Sequence, residues 1–225
     1  MSATRSNSKS GWFVILGTCA VAAIAVAVWL SVQPDWAPDP KPQVFNAEKV
    51  RELIGLKNRG IGFLENKEFA DAGQTLDQLV QAAPNSEMAV RDLAIARILP
   101  LIDKSDAAIN RQTKPDQYDQ AVADASQAVQ RYLKLLPDSP IALLLSAELA
   151  NHVGDAKLAQ QNLEQATMLS PKDAALWYTM YLLSRDSADE PTRQRGKLGL
   201  RNAYQAAPKN LWLLKEWLLQ QALVH

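Results

Sequence analysis

The residues that could do chemistry in this chain of 225 amino acids form no recognised catalytic or metal-binding pattern. His152 falls in a predicted turn, where we expect an exposed side chain, and His225 has no second histidine at metal-ligand spacing. No serine lies in a G-x-S-x-G sequence, and no glycine-rich phosphate loop occurs. Carboxylates such as Glu48 and Glu148 fit solvated helix faces. We therefore expect no enzymatic activity, no cofactor and no metal.

Charge and composition also restrict the function. Lysine plus arginine and aspartate plus glutamate number 24 each, and the basic stretch Thr192–Arg201 lacks interleaved aromatic residues, so we expect no nucleic-acid partner. The single cysteine, Cys19, excludes an internal disulfide. Alanine and leucine are abundant and there are only 9 glycines, which favours helices over strands.

The N-terminal region predicts a membrane anchor. From Trp12 to Val32 the chain has no charge, and a helix of this length spans about 30 Å, the thickness of the hydrocarbon layer. Trp29 lies near one end, where indoles favour the membrane interface, while Arg5 and Lys9 precede the segment. The positive-inside rule then predicts a single-pass inner-membrane protein with residues 1–11 in the cytoplasm and the remainder in the periplasm.

Two other interpretations of the N-terminal region are weaker. A cleaved signal has a shorter apolar core followed by small residues, whereas bulky Trp29 and Leu30 stand here. A lipid-modified Cys19 is disfavoured because Thr18 precedes it and the apolar run continues beyond it. Residues 33–45 contain four prolines and predict a semi-rigid linker of up to about 40 Å.

From Asn46 onward, short sequence motifs centred on a proline recur between helix-like segments. They are "AAPNSEMAV", "LLPDSPIAL", "LSPKDAALW" and "AAPKNLWLL", around Pro84, Pro137, Pro171 and Pro208. Pro137 and Pro171 are 34 residues apart, and Pro171 and Pro208 are 37 apart. A period in the thirties, with two helices in each unit, is typical of a helical solenoid.

These units resemble the tetratricopeptide repeat (TPR) family, whose unit has 34 residues and a closing proline. In the first unit the matching residues are Leu56, Gly60, Phe63, Phe69, Ala72, Leu76 and Pro84. In the last unit Trp177 stands at the tryptophan position of the family. The resemblance implies an all-α fold, a right-handed solenoid of helical hairpins. Residues 46–225 would form about four repeats plus a C-terminal helix.

The second unit departs from this period. Pro84 and Pro137 are 53 residues apart, which is 19 more than one unit. If Tyr118 is the counterpart of Phe69, 15 of the extra residues precede it and 4 follow it. We therefore predict a long connection near residues 103–117 and one extra turn on the following helix.

The resemblance also implies a binding groove lined by the first helix of each unit. Residues at equivalent positions on these helices are Lys57, Arg91, Leu144, Tyr178 and Lys215. Such a groove is cationic towards both ends and apolar in the middle. It suits an extended peptide or a helix that carries acidic residues.

The segment from Asn210 to His225 reads as one helix that is apolar around most of its circumference. Trp212, Leu213 and Trp217 are then predicted to form an exposed apolar contact for a partner, for a second copy of the chain or for a further domain.

Taken together, these patterns predict a membrane-anchored bacterial adaptor or assembly scaffold that binds a protein or peptide on the extracytoplasmic side. Three alternatives stay open at this point. The chain could be the N-terminal module of a larger protein, for example one with a β-propeller, or an assembly factor of the kind used in cytochrome c biogenesis. An enzyme with a site in the groove is the third, and no motif supports it.

Overall fold

The computed structural model describes residues 45–103, 109, 112 and 114–222. The predicted cytoplasmic segment 1–11, the predicted membrane span 12–32 and nearly all of the predicted linker lie outside the described residues. The described residues from Asn46 onward form one compact unit. No helix in the described ranges combines the length and apolar character that crossing a bilayer requires.

The described residues form α-helices joined by turns, without a β-strand among them. Consecutive helices pack as antiparallel hairpins, α1 with α2, α3 with α4, α5 with α6 and α7 with α8, and α9 packs on α8. The first helices of the second and third hairpins, α3 and α5, also contact each other, so the hairpins stack as in a solenoid. The bounds are α1 Ala47–Glu65, α2 Phe69–Ala82, α3 Glu87–Ile102, α4 Pro115–Leu135, α5 Pro140–His152, α6 Ala156–Leu169, α7 Ala174–Ser184, α8 Glu190–Ala206 and α9 Leu211–Ala222.

The recurring proline motifs form the connections, here called joints, between successive hairpins. In each joint the residue two positions after the proline is an N-cap, and its side chain accepts a hydrogen bond from a backbone N–H of the next helix at 2.9–3.4 Å. Such caps satisfy donors that the first helical turn leaves unpaired. The four caps are Ser86, Ser139, Asp173 and Asn210. Equivalent positions in α3, α5, α7 and α9 can therefore be found by counting residues from the cap.

The second hairpin accommodates its extra residues much as the spacing predicts. α3 ends at Ile102 and α4 begins at Pro115, two residues before the predicted end of the connection. From Tyr118 to its end α4 has four more residues than α2 has from Phe69. The extra turn predicted on this helix is therefore confirmed.

Close approach within a hairpin requires a small residue on one of its two helices. In the first hairpin Gly60 of α1 is the small partner, because a Cβ there would lie 2.6 Å from Cγ of Leu76 on α2. In the fourth hairpin the arrangement is reversed. Tyr181 of α7 is large, and Gly199 of α8 is small, so that a Cβ at 199 would lie 2.8 Å from the carbonyl oxygen of Trp177.

An arginine links three successive helices on the polar side of the first two hairpins. The Arg97 guanidinium on α3 donates to the Asp77 carboxylate on α2 and, at 3.2 Å, to the Asp124 carboxylate on α4. These acidic side chains belong to consecutive second helices. One cation on a first helix therefore joins two hairpins, and because all three side chains are partly exposed its energetic contribution is modest.

The glycine contacts yield a prediction with an internal control. Gly199→Ala should destabilise the chain by about 1–2 kcal/mol, because overpacking against Trp177 and Tyr181 outweighs the preference of helices for alanine. Gly55→Ala, in α1 with open space around its Cβ position, should stabilise by about 0.5–1 kcal/mol. Urea unfolding of both variants measures the difference. Equal effects of the same sign would contradict the close packing at Gly199.

Candidate functional site

Four of the five predicted groove positions, Arg91, Leu144, Tyr178 and Lys215, are the fifth residues after their helix caps, whereas Lys57 is the eleventh residue after Asn46. At the C-terminal end of this row an aromatic contact links two first helices. Tyr178 on α7 contacts Trp212 on α9, with ring centroids 4.6 Å apart and the planes nearly perpendicular at 76°. Tyr178 is half-buried, and Trp212 and Lys215 are exposed. The end of the row therefore presents aromatic surface beside a cation, a combination suited to binding a peptide.

Arg91 is not the free cation that the sequence predicts. Its guanidinium donates from Nε at 3.0 Å and from Nη2 at 2.9 Å to the same carboxylate oxygen, Oδ1 of Asp92. Asp92 is only 4% exposed, and its second oxygen has no hydrogen-bond partner among the described residues. The pair offsets the positive charge predicted on this part of the groove. The sequence signal for this contact was an aspartate directly after the arginine.

Leu144 and Lys57 differ in their surroundings. Leu144 packs between the third and fourth hairpins, against Ala147 and Met180 on one side and Leu143 and Leu176 on the other. Leu144 is half-buried there, and its place on the groove stays a prediction. Lys57 is also half-buried, on α1, and makes no ion pair with another described residue.

The predicted apolar contact on the C-terminal helix is partly wrong. Leu213 is only 3% exposed, because it packs against Tyr181 and the α8 residues Leu200 and Ala203 in the protein's own core. Trp217 is half-buried, and its ring stacks on Tyr204 at 5.4 Å between centroids. Trp212 remains exposed, together with three leucines that the prediction did not single out. These are Leu211, Leu218 and Leu219.

A buried tyrosine fastens α9 to the fourth hairpin. The Tyr181 hydroxyl donates to Oε1 of Glu216 at 2.9 Å and accepts from Nε2 of Gln220 at 2.9 Å. The Arg185 guanidinium lies 5.7 Å from the centroid of the same ring. Burial, and then the bond to Glu216, raise the pKa of Tyr181, so its hydroxyl stays protonated and able to donate.

His152 is not the exposed turn residue that the sequence predicts. It ends α5 half-buried, with its ring centroid 5.6 Å from that of Tyr118, and its Nε2 is buried without a hydrogen-bond partner among the described residues. Desolvation lowers the pKa of His152 and raises that of Glu148, one helical turn earlier. Burial therefore favours the uncharged form of both side chains. No group of His, Cys, Asp or Glu side chains in the described ranges is arranged to hold a metal ion.

The tyrosine contact predicts how α9 is held. Tyr181→Phe leaves two half-buried polar partners without the hydroxyl, so α9 should open more readily, with amide exchange in residues 211–222 faster by about 5- to 30-fold. Tyr204→Phe, which keeps the ring stacked on Trp217, is the control and should leave this exchange unchanged. Hydrogen exchange read by mass spectrometry measures both. If α9 protection in Tyr181→Phe equals that of the parent chain, the hydroxyl does not fasten the helix.

Comparison with known proteins identifies the fold. No protein-family model and no curated protein matches the chain. Among solved structures, TTC0263, a thermophilic TPR protein of Thermus thermophilus, is 16% identical with a TM-score of 0.59, and the match covers 74% of this chain and 78% of that one. A crystal structure of MamA is 13% identical with a TM-score of 0.51, covering 73% and 78%.

A further match, MamA 41-end from Desulfovibrio magneticus RS-1, is 18% identical with a TM-score of 0.52, covering 74% of this chain and 81% of that one. At these identities the likeness concerns the fold alone. Together with the stacked helical hairpins, it shows that the chain has the all-α repeat architecture of TPR proteins.

Proposed function

We propose that this chain is a membrane-anchored adaptor or assembly scaffold that binds a protein partner through the groove of its TPR-type domain. The observation that carries the proposal is the exposed aromatic surface at the C-terminal end of the row of first helices. There Tyr178 supports Trp212, which keeps half of its surface exposed. An exposed indole held by a neighbouring ring is an effective anchor, because little side-chain freedom remains to be lost on binding.

The chemistry of this end defines the ligand. Trp212, Lys215 and Leu219 lie on one side of α9 because they are three and four residues apart along the helix. This side presents two apolar side chains with a cation between them. The cation at this end of the groove is Lys215, which is exposed. An extended peptide or a short helix with an apolar residue next to a carboxylate matches this pattern.

The membrane anchor and the side of the membrane are part of the proposal. The uncharged stretch from residue 12 to residue 32 supports a spanning helix, and the preceding basic residues support a cytoplasmic N-terminus. The proline-rich residues 33–45 would then hold the repeat domain away from the bilayer on the extracytoplasmic side.

The groove proposal is tested by changing its exposed apolar residues. Trp212→Gln combined with Leu219→Gln should lower recovery of a specific partner from the protein's own membranes by at least about tenfold, because central aromatic anchors carry much of the binding energy. Met168→Gln, which changes an exposed apolar residue on α6, is the matched control. Quantitative mass spectrometry after affinity purification measures recovery. Equal recovery with all variants would remove the groove from the proposal.

The topology is tested by cysteine labelling, since Cys19 is the only native cysteine. In a Cys19→Ser background, Lys172→Cys, at an exposed position in the joint between hairpins, should react with a membrane-impermeant maleimide in intact spheroplasts. Ser8→Cys should react only after lysis. The opposite pattern would place the repeat domain in the cytoplasm, and loss of the chain from the membrane fraction would exclude the anchor.

A further inference from the structure

The helix α9 has the features of a first helix that lacks its second helix. It begins after the proline joint and the cap Asn210, as α3, α5 and α7 begin after theirs. In those three helices the eighth residue after the cap is buried, with at most 1% of its surface exposed, whereas the equivalent residue of α9 is 52% exposed. In order, these residues are Ala94, Ala147, Tyr181 and Leu218.

The second helix of each hairpin is what covers this position. Ala147 packs with Ala159 and Leu163 of α6, and Tyr181 packs with Leu200 of α8. No helix in the described ranges covers the corresponding side of α9. Leu211, two turns before Leu218 on the same side, is 77% exposed. Leu211 and Leu218 therefore form an exposed apolar strip, two turns long, at the position that a second helix covers in the other hairpins.

The charge of the cleft next to α9, whose lining includes Trp217, the chain neighbour of Leu218, defines what would cover the strip. A cleft of about 480 Å³ lies between α8 and α9, and its only charged lining residues are Lys197 and Arg201, one turn apart on α8. Neither forms an ion pair with a described residue, whereas Arg193 on the same helix is paired with Glu190. Trp217 and Gln220 of α9 form the opposite wall of the cleft.

The first two hairpins show that carboxylates on second helices pair with a cation across the boundary between units. There the Arg97 guanidinium binds carboxylates on two successive second helices, Asp77 of α2 and Asp124 of α4. A helix in the open position on α9 would run beside α8, as α4 follows α2. Carboxylates on its flank would then meet Lys197 and Arg201. A second copy of this cationic cleft would instead bring like charges together.

We propose that the face formed by Leu211 and Leu218, together with the α8–α9 cleft, docks an amphipathic helix of a partner protein. This helix has an alanine- and leucine-rich face and at least one carboxylate, and it completes a fifth hairpin. A length of about 14 residues, that of α2 and α6, fits the position. The surface is separate from the groove, because Leu218 and Trp212 lie on different sides of α9.

The test uses a helix of this chain as the probe. A labelled peptide of residues 68–83, EFADAGQTLDQLVQAA, has the pattern of a second helix with three carboxylates and no cation. It should bind the full chain held in lipid nanodiscs. Leu218→Asp should weaken binding at least about tenfold, while Leu219→Asp, equally exposed on the neighbouring groove side, should not. Fluorescence anisotropy measures both, and circular dichroism verifies that each variant is folded.

Charge reversal makes the test specific. Lys197→Glu combined with Arg201→Glu should weaken the parent peptide about tenfold. The same variant should regain binding of a peptide that carries Glu68→Lys, Asp71→Lys and Asp77→Lys. Trp212→Gln should leave peptide binding unchanged, so failure here is distinguishable from failure of the groove proposal.

Three outcomes overturn the inference. The first is no binding at about 1 mM peptide. The second is binding that Leu218→Asp and Leu219→Asp weaken equally, or that charge reversal does not affect. The third is a dimer of the chain alone that Leu218→Asp abolishes, because a second copy rather than an acidic partner helix would then cover the face.

Discussion

Close packing within each helical hairpin is the constraint on which the structure depends. Two helices pack closely only if one of them has a small side chain where they cross. In these repeats either the first or the second helix of the hairpin provides it. Gly60 faces Leu76 in the first hairpin, whereas Gly199 faces the α7 backbone beside Tyr181 in the fourth. Because either helix can provide the small residue, the same hairpin geometry is compatible with different sequences in the two units.

The local features of the fold could be predicted from the sequence, because they depend on residues a few positions apart. A proline, a capping side chain two residues later and an apolar run place a helix start at each of the four joints. The extra turn of α4 followed from counting residues between Tyr118 and Pro137. The exact start of α4 at Pro115 did not, since it depends on how an unusually long connection returns to the stack.

The candidate site was less predictable, because its character depends on contacts between neighbouring side chains. Position in the repeat placed Arg91 on the groove, but the adjacent Asp92 removes it as a free cation. Periodicity could not separate Leu213 from Leu218, since α9 is apolar around most of its circumference. Only the packing of α9 on Tyr181, Leu200 and Ala203 decides that the first is core and the second is surface.

The two open surfaces of α9 share one mechanical support. Gln220 lines the α8–α9 cleft and donates to Tyr181, while Trp212 on the groove side rests on Tyr178, whose ring lies 5.8 Å from that of Tyr181. A ligand that binds either surface only when α9 is docked stabilises the docked helix by mass action. Because such coupling is reciprocal, occupancy of one surface then favours occupancy of the other. The attachment of α9, made by the Tyr181 hydroxyl and by the apolar packing of Leu213 and Trp217, is thus the element through which a peptide in the groove and a helix in the cleft would influence each other.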